Sequence, residues 1–156
     1  MRGKVILVGE DDPEDVANIK RVLKGANFVN PVHFVSDGTE TIAYLAGRGK
    51  YADRNLYLYP ALLLLDLVMP QRSGLEVLSW IHNRPEPEHK ALGIVVMTAM
   101  GNIEEIQCAY SLGAHSFLIK PLLLEDFVNL LNGLKGIRLE TDDRGHPVDF
   151  NPREIR

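Results

Sequence analysis

The stretch Leu62-Leu63-Leu64-Leu65-Asp66-Leu67-Val68-Met69-Pro70 decides the fold. Four leucines run without a polar break, meet one carboxylate and stop at a proline. A continuous apolar run of this length reads as a strand covered on both faces. Asp66 then falls at or just past its carboxyl end, the edge where open parallel sheets bind ligands. An aspartate there can also serve only to stop the strand and cap the next turn. The ends of the other strands decide between these uses.

Working outward, the same grammar repeats. Lys4 to Gly9 is a short apolar strand followed at once by Glu10-Asp11-Asp12 and Pro13. Asp12 suits a helix N-cap and Pro13 the first helical turn. Val16, Ile19, Leu23 and Ala26 recur at helical spacing, with Gly25 at the end. Pro31 to Val35 is a second strand, and Thr39 to Ala46 a second helix ended by Gly47 and Gly49. Residues 50 to 60 form an unusually long loop, either a working surface or a tolerated insertion. After the leucine run, Ser73 caps a third helix through Leu75, Val77, Leu78 and Ile81, and Pro85 to Glu88 reads as a loop.

Gly93 to Thr98 is the fourth strand. Asn102 caps the fourth helix, with Glu105 at the capping-box position and Gly113 just past its end. His115 to Lys120 is the fifth strand, stopped by Pro121. Leu123, Phe127, Leu130, Leu131 and Leu134 form the stripe of a fifth helix. Five strands alternating with five helices predict a parallel sheet with helices on both faces. From Gly136 the pattern decays, so residues 1–135 are expected to form one domain and 136–156 an extension or arm.

The totals narrow the function. The chain has 156 residues, 46% hydrophobic and 24% charged, with a net charge of -4. That suits a single domain with a real core and argues against a dedicated nucleic-acid binder, which carries a basic surface. The single cysteine, Cys108, excludes a disulfide framework and a thiolate metal cluster and fits a reducing cytosol. It reads as a small residue, buried or half-buried. No apolar run approaches the roughly 20 residues that span a bilayer. The five histidines share no ligand spacing, and Trp80 reads as packing.

At the carboxyl ends of the strands stand Glu10, Asp11 and Asp12, then Asp66, then Thr98, then Lys120. In a parallel sheet these ends open on one edge. Carboxylates crowded there repel unless compensated, and a hard divalent cation such as Mg2+ is the usual remedy. A carboxylate beside it can act as a nucleophile toward phosphorus.

Taken together, Glu10-Asp11, Asp66 with Met69-Pro70, Thr98-Ala99 and Lys120-Pro121 closely resemble the response-regulator receiver domain, over about residues 4 to 135. The resemblance implies a flavodoxin-like (βα)5 doubly wound sheet of order 2-1-3-4-5 in three layers. It implies Asp66 as phosphoacceptor, with Thr98 and Lys120 assisting. Mg2+ would be held by Glu10, Asp11, Asp66 and the backbone carbonyl of Val68. Thr98 and Phe117 would form the switch, although Phe117 can equally be plain core, and the Lys120-Pro121 peptide would be cis. Val68 and Met100, both apolar, take the positions that tune phosphate lifetime and imply slow self-dephosphorylation. Gly9 departs from the apolar residue usual in the family.

The implied setting of the chain is cytoplasmic, and the implied partner is a sensor histidine kinase. The 50–60 loop, the Pro-Glu-Pro-Glu stretch and the extended C-terminus resemble the single-domain regulators that partner bacterial phytochromes. The tail is too short for a DNA-binding domain, so output is expected by protein contact, including a homodimer through helix four, strand five and helix five. The resemblance implies a switch rather than an enzyme. An aspartyl hydrolase would want an acid two residues after Asp66, where Val68 stands; a phosphorylation-independent interaction module is the other alternative.

Overall fold

Alternation of the leucine run sets the architecture. In the computed structural model, which describes residues 5–26, 30–99 and 102–133, with side chains through residue 130, strand β3 spans Leu62–Asp66 and is wholly buried. Leu63 and Leu65 enter one apolar cluster, and Leu62 and Leu64 enter the other. Successive strand side chains point to opposite faces, so a strand with a core on each side must be apolar at every position. Burying each leucine is worth roughly 1.5–3 kcal/mol.

Around β3 lie β1 (Ile6–Gly9), β2 (Val32–Val35), β4 (Gly93–Thr98) and β5 (Ser116–Ile119). All pairings are parallel, in the order β2-β1-β3-β4-β5. This is the flavodoxin-like order, with β3 central, as expected. Ile6 pairs with Leu62, Leu65 with Val96, and Thr98 with Ile119.

Helices α1 (Pro13–Gly25) and α6 (Leu124–Gly133) supply Ile19, Val22, Leu23 and Phe127 to the cluster under Val8, Leu64, Met97 and Leu118. On the other face, α2 (Gly38–Ala46), α3 (Gly74–His82) and α5 (Ile103–Ser111) cover Leu7, Leu63, Leu65 and Val96 through Ile42, Leu45, Val77, Leu78 and Ala109. The result is three layers.

Three of the caps, Asp12, Ser73 and Asn102, are the ones the sequence marks, and Asp37 is a further one. Asp12 accepts from the N–H groups of Glu14 and Asp15, Asp37 from Glu40, Ser73 from Glu76 and Asn102 from Glu105. Gly47 ends α2 in the left-handed conformation at φ 67°, which glycine adopts without penalty.

Two expectations are corrected. Residues 85–88 do not form a plain loop: Pro87–Ala91 is a short helix, α4. Pro87 supplies the preset first-turn φ, and its partner is tertiary, as the Tyr59 hydroxyl meets His89 Nδ1 at 2.5 Å. The helix of Asn102 is therefore α5 and the last helix α6. Cys108 is exposed, because α5 turns Ala109 to the core in its place.

The 50–60 loop is packed rather than slack. It opens with a 3-10 turn, Gly49–Tyr51. The Tyr44 hydroxyl donates to the Leu58 carbonyl at 2.9 Å, and the Arg54 guanidinium donates to the carbonyls of Leu45 (2.7 Å) and Tyr57 (3.0 Å). The Tyr51 ring centroid lies 5.0 Å from those of both Tyr44 (tilted) and Tyr57 (edge-on), and its hydroxyl donates to Glu40. His33 joins this aromatic group. Trp80 is half-buried against the core, beneath Arg84 and His89. Leu131, Leu134, Met100, His146 and the 136–156 extension fall wholly or in part, side chains included, outside the described residues.

Candidate functional site: a carboxylate cluster around one lysine

Strand parity gathers the site. Glu10, Asp66 and Lys120 continue the alternation of Val8, Leu64 and Leu118, which face α1 and α6. Thr98 and Phe117 continue the opposite set, with Val96, toward α5. Three side chains distant along the chain therefore meet at one sheet edge. The Lys120 ammonium donates to Glu10 Oε1 at 3.1 Å, Asp66 Oδ2 at 2.9 Å and Asp15 Oδ2 at 2.9 Å. An ammonium has three donors, and here each has a carboxylate.

The backbone around these groups is held by the extension of the ladders. Glu10 N–H donates to the Val35 carbonyl, Leu67 N–H to Met97 and Lys120 N–H to Thr98. The peptide Lys120-Pro121 is cis, as the resemblance implied. Asp66 Oδ1 accepts from the Val68 N–H at 3.0 Å, fixing its carboxylate over the loop that follows β3.

Burial is uneven. Glu10 and Asp66 are 2% and 3% exposed, whereas Asp11 is exposed. Burial pushes the Glu10 carboxyl up to about 7; the neighbouring Asp66 carboxylate adds to this, and Lys120 and the Asp12 N–H act against it. For Lys120, burial opposes the charge, but the hydrogen bonds to Asp15, Asp66 and Glu10 outweigh it and raise the ammonium well above its ordinary range.

Glu10, Asp11 and Asp66 each place an oxygen within 4.8 Å of the others. Three oxygen donors from two buried acids and one exposed acid suit a hard divalent cation reached from solvent. Lys120 brings one positive charge to the carboxylates of Glu10, Asp15 and Asp66, with Asp11 adjoining, so the donor set fits such an ion.

Thr98 is buried, and its hydroxyl donates to the Ala99 carbonyl at 3.2 Å rather than toward Asp66. Phe117 is half-buried against the α5 face, edge-on to Tyr110 with centroids 6.3 Å apart. The Val68 side chain is 70% exposed. Asp12 acts as a helix cap. Sequence reasoning missed Asp15. Its signal was position: Asp15 stands in the first turn of the helix that follows Glu10-Asp11.

The model of the response regulator receiver domain matches residues 6–132. The chain belongs to this family. It is 32% identical over 138 residues to the response regulator Rcp1 of Synechocystis sp., covering 88% of this chain and 90% of that one. Among solved structures it is similar to the bacteriophytochrome response regulator AtBRR (TM-score 0.80, 29% identity, 92% of this chain and 99% of that one) and to RtBRR (TM-score 0.79, 30% identity, 93% and 84%). The Mn2+-bound form of Rcp1 superposes with a TM-score of 0.70 at 32% identity, covering 89% and 96%. The chain is thus a two-component receiver similar to the phytochrome-type response regulators, one of which, Rcp1, is described in an Mn2+-bound form.

Proposed function

We propose that this receiver accepts a phosphoryl group from the phosphohistidine of a sensor kinase onto Asp66, in a Mg2+-dependent reaction. The observation that carries the reading is the meeting of Glu10, Asp66 and Lys120 at one edge with Asp11 beside them. An Asp66 oxygen attacks phosphorus as the bond from phosphorus to the donor imidazole nitrogen breaks, and the electron pair leaves with that ring. The Asp66 carboxylate is held for this by the Val68 N–H. The Lys120 ammonium is within reach of the oxygens on which charge develops, so positioning and neutralisation supply the rate. Glu10, Asp11, Asp66 and the Val68 carbonyl would hold Mg2+, whose chemistry is charge neutralisation of the phosphoryl oxygens.

The phosphate adds about -1.5 to -2 charges. The Thr98 hydroxyl can leave its Ala99 bond by rotation, and Phe117 shares its face of the sheet. A shift of both would remodel α5, β5 and α6, a local charge event with a distant readout. Tyr110 of α5, Ile119 of β5 and Leu123 just before α6 are exposed at 39–58%, which supports use of that face in a homodimer. The names of the similar phytochrome regulators support a bacterial phytochrome kinase as donor, and a cytoplasmic setting goes with that reading. Residues 1–135 would form the receiver and 136–156 an arm. The apolar Val68 gives an attacking water no side-chain hydrogen bond, which supports a long-lived phosphate. The protein then acts as a switch with at most autocatalytic phosphorylation and dephosphorylation.

The test is labelling by acetyl phosphate with Mg2+. Wild type should gain one acid-labile phosphate and Asp66→Asn none. Equal labelling of both would refute the site, and no labelling of wild type would leave a phosphorylation-independent module.

A further inference from the structure

Asp15 is the one carboxylate on Lys120 that belongs neither to a strand end nor to the group able to share a cation. It sits in the first turn of α1 and is half-buried. Its Oδ2 lies 2.9 Å from the Lys120 Nζ, no longer than the contact to Asp66 itself. One turn along the same helix face, the Asn18 Nδ2 donates to the Leu122 carbonyl at 2.9 Å. Helix α1 thus fastens the segment 120–122 twice, once by its charged head and once by its backbone.

A lysine head on a four-carbon stem is mobile and strongly hydrated. The rest of its partners here, Glu10 and Asp66, are groups that would turn toward a cation or a phosphoryl group. Asp15 stands outside that exchange and can keep its grip throughout. We propose that Asp15 is a positioning residue, which holds the Lys120 ammonium against Asp66 so that it is in place when charge develops there. The kinetic part of this inference rests on the phosphoacceptor reading above; the hold on the ammonium does not.

The bland role for an acid at this place is support of the helix N-terminus, and the experiment must separate the two. The Lys120 ammonium order parameter is measured by 15N relaxation in wild type, Asp15→Asn and Asp15→Glu, all at saturating Mg2+, where Glu10 and Asp66 are drawn to the cation. The isosteric Asp15→Asn should leave the fold and melting temperature nearly unchanged yet make the ammonium mobile, and Asp15→Glu should restore much of its order. An ammonium equally ordered in Asp15→Asn would overturn the proposal. In parallel, labelling by acetyl phosphate at saturating Mg2+ should slow at least fivefold in Asp15→Asn and recover to within about twofold in Asp15→Glu. Mg2+ affinity, read from thermal shifts, should change less than twofold. A rate that is unchanged or faster, or a matching loss of Mg2+ affinity, would overturn the positioning role. Absence of labelling in wild type would instead defeat the phosphoacceptor reading, while the relaxation data still decide what holds Lys120.

Discussion

Gly74 presses on the backbone of Asp66: a Cβ added to Gly74 would stand 2.4 Å from the Asp66 carbonyl oxygen and 2.7 Å from Leu67 Cα. Its N–H donates to the Leu67 carbonyl at 3.0 Å. Gly38 makes a similar approach, with 2.0 Å left between its missing Cβ and the Arg72 carbonyl oxygen. The segment after Asp66 is therefore clamped between the starts of α2 and α3, and both approaches are open only to glycine. Gly74→Ala should cost about 1–3 kcal/mol, the usual range for overpacking, read as a lower urea midpoint. Because backbone rather than a flexible side chain must give way, Asp66 should move as well, and acetyl phosphate labelling should slow.

Leu64 is fully buried and enters the cluster with Ile6, Val8, Val95 and Phe127. Leu64→Ala removes three carbons from the most enclosed strand. A loss of about 2–5 kcal/mol is expected, seen as a drop in the denaturation midpoint at constant slope. A loss well under 1 kcal/mol would mean that β3 is not the centre of the core.

The acidic trio predicts metal linkage. Mg2+ at about 100 times its dissociation constant should stabilise the native state by about 2.7 kcal/mol, which differential scanning calorimetry would record as a higher melting temperature. Asp11 is the exposed member, so Asp11→Asn should fold normally and weaken the Mg2+ effect about tenfold or more in concentration. A Mg2+ shift undiminished in Asp11→Asn would remove that residue from the ligand set.

His115 predicts a pH effect away from the site. Burial holds its imidazole below the ordinary histidine range, and its Nδ1 accepts the Ile94 N–H at 3.0 Å, which requires that nitrogen to be unprotonated. The unfolded chain then binds the proton more readily than the native state. This contribution to stability is complete above the unfolded value of 6.5 and is lost as pH falls below it. In urea titrations, wild type should lose more stability between pH 7.5 and 5.5 than His115→Gln does. Parallel curves would refute the assignment.

Tyr59 and His89 join the 50–60 loop to α4 through a 2.5 Å contact, with Glu86 3.6 Å from the other ring nitrogen. Tyr59→Phe leaves the largely buried imidazole without that partner, at a cost of about 1–3 kcal/mol. Hydrogen exchange should quicken in 85–91 and 50–60 while β1, β3 and β4 keep their protection.

The clamp at Gly74 shows where reading the chain stops. The glycine is visible in the sequence, but its distance to Asp66 is not, since that depends on how α3 seats against the β3 loop. The same holds at α4, which is too short to announce itself by periodicity and is fastened by a tyrosine 30 residues away. Exposure of Cys108 depended on the roll of α5, whose apolar stripe leaves two neighbouring positions almost equally eligible for the core.

The strands, the helix caps, the parallel class and the candidate residues Glu10, Asp11, Asp66, Thr98 and Lys120 were all determined by the chain itself. Those features rest on short-range causes: alternation in a buried strand, side chains capping the next turn, and prolines and glycines that fix backbone angles. Strand order was implied by family resemblance and settled by the pairing. Only the tertiary structure decided that one ammonium would bind three carboxylates and that Asp15 would be the third. Such a contact joins residues 105 positions apart, and its existence depends on the mutual placement of α1 and β5 across the core, which no local pattern encodes.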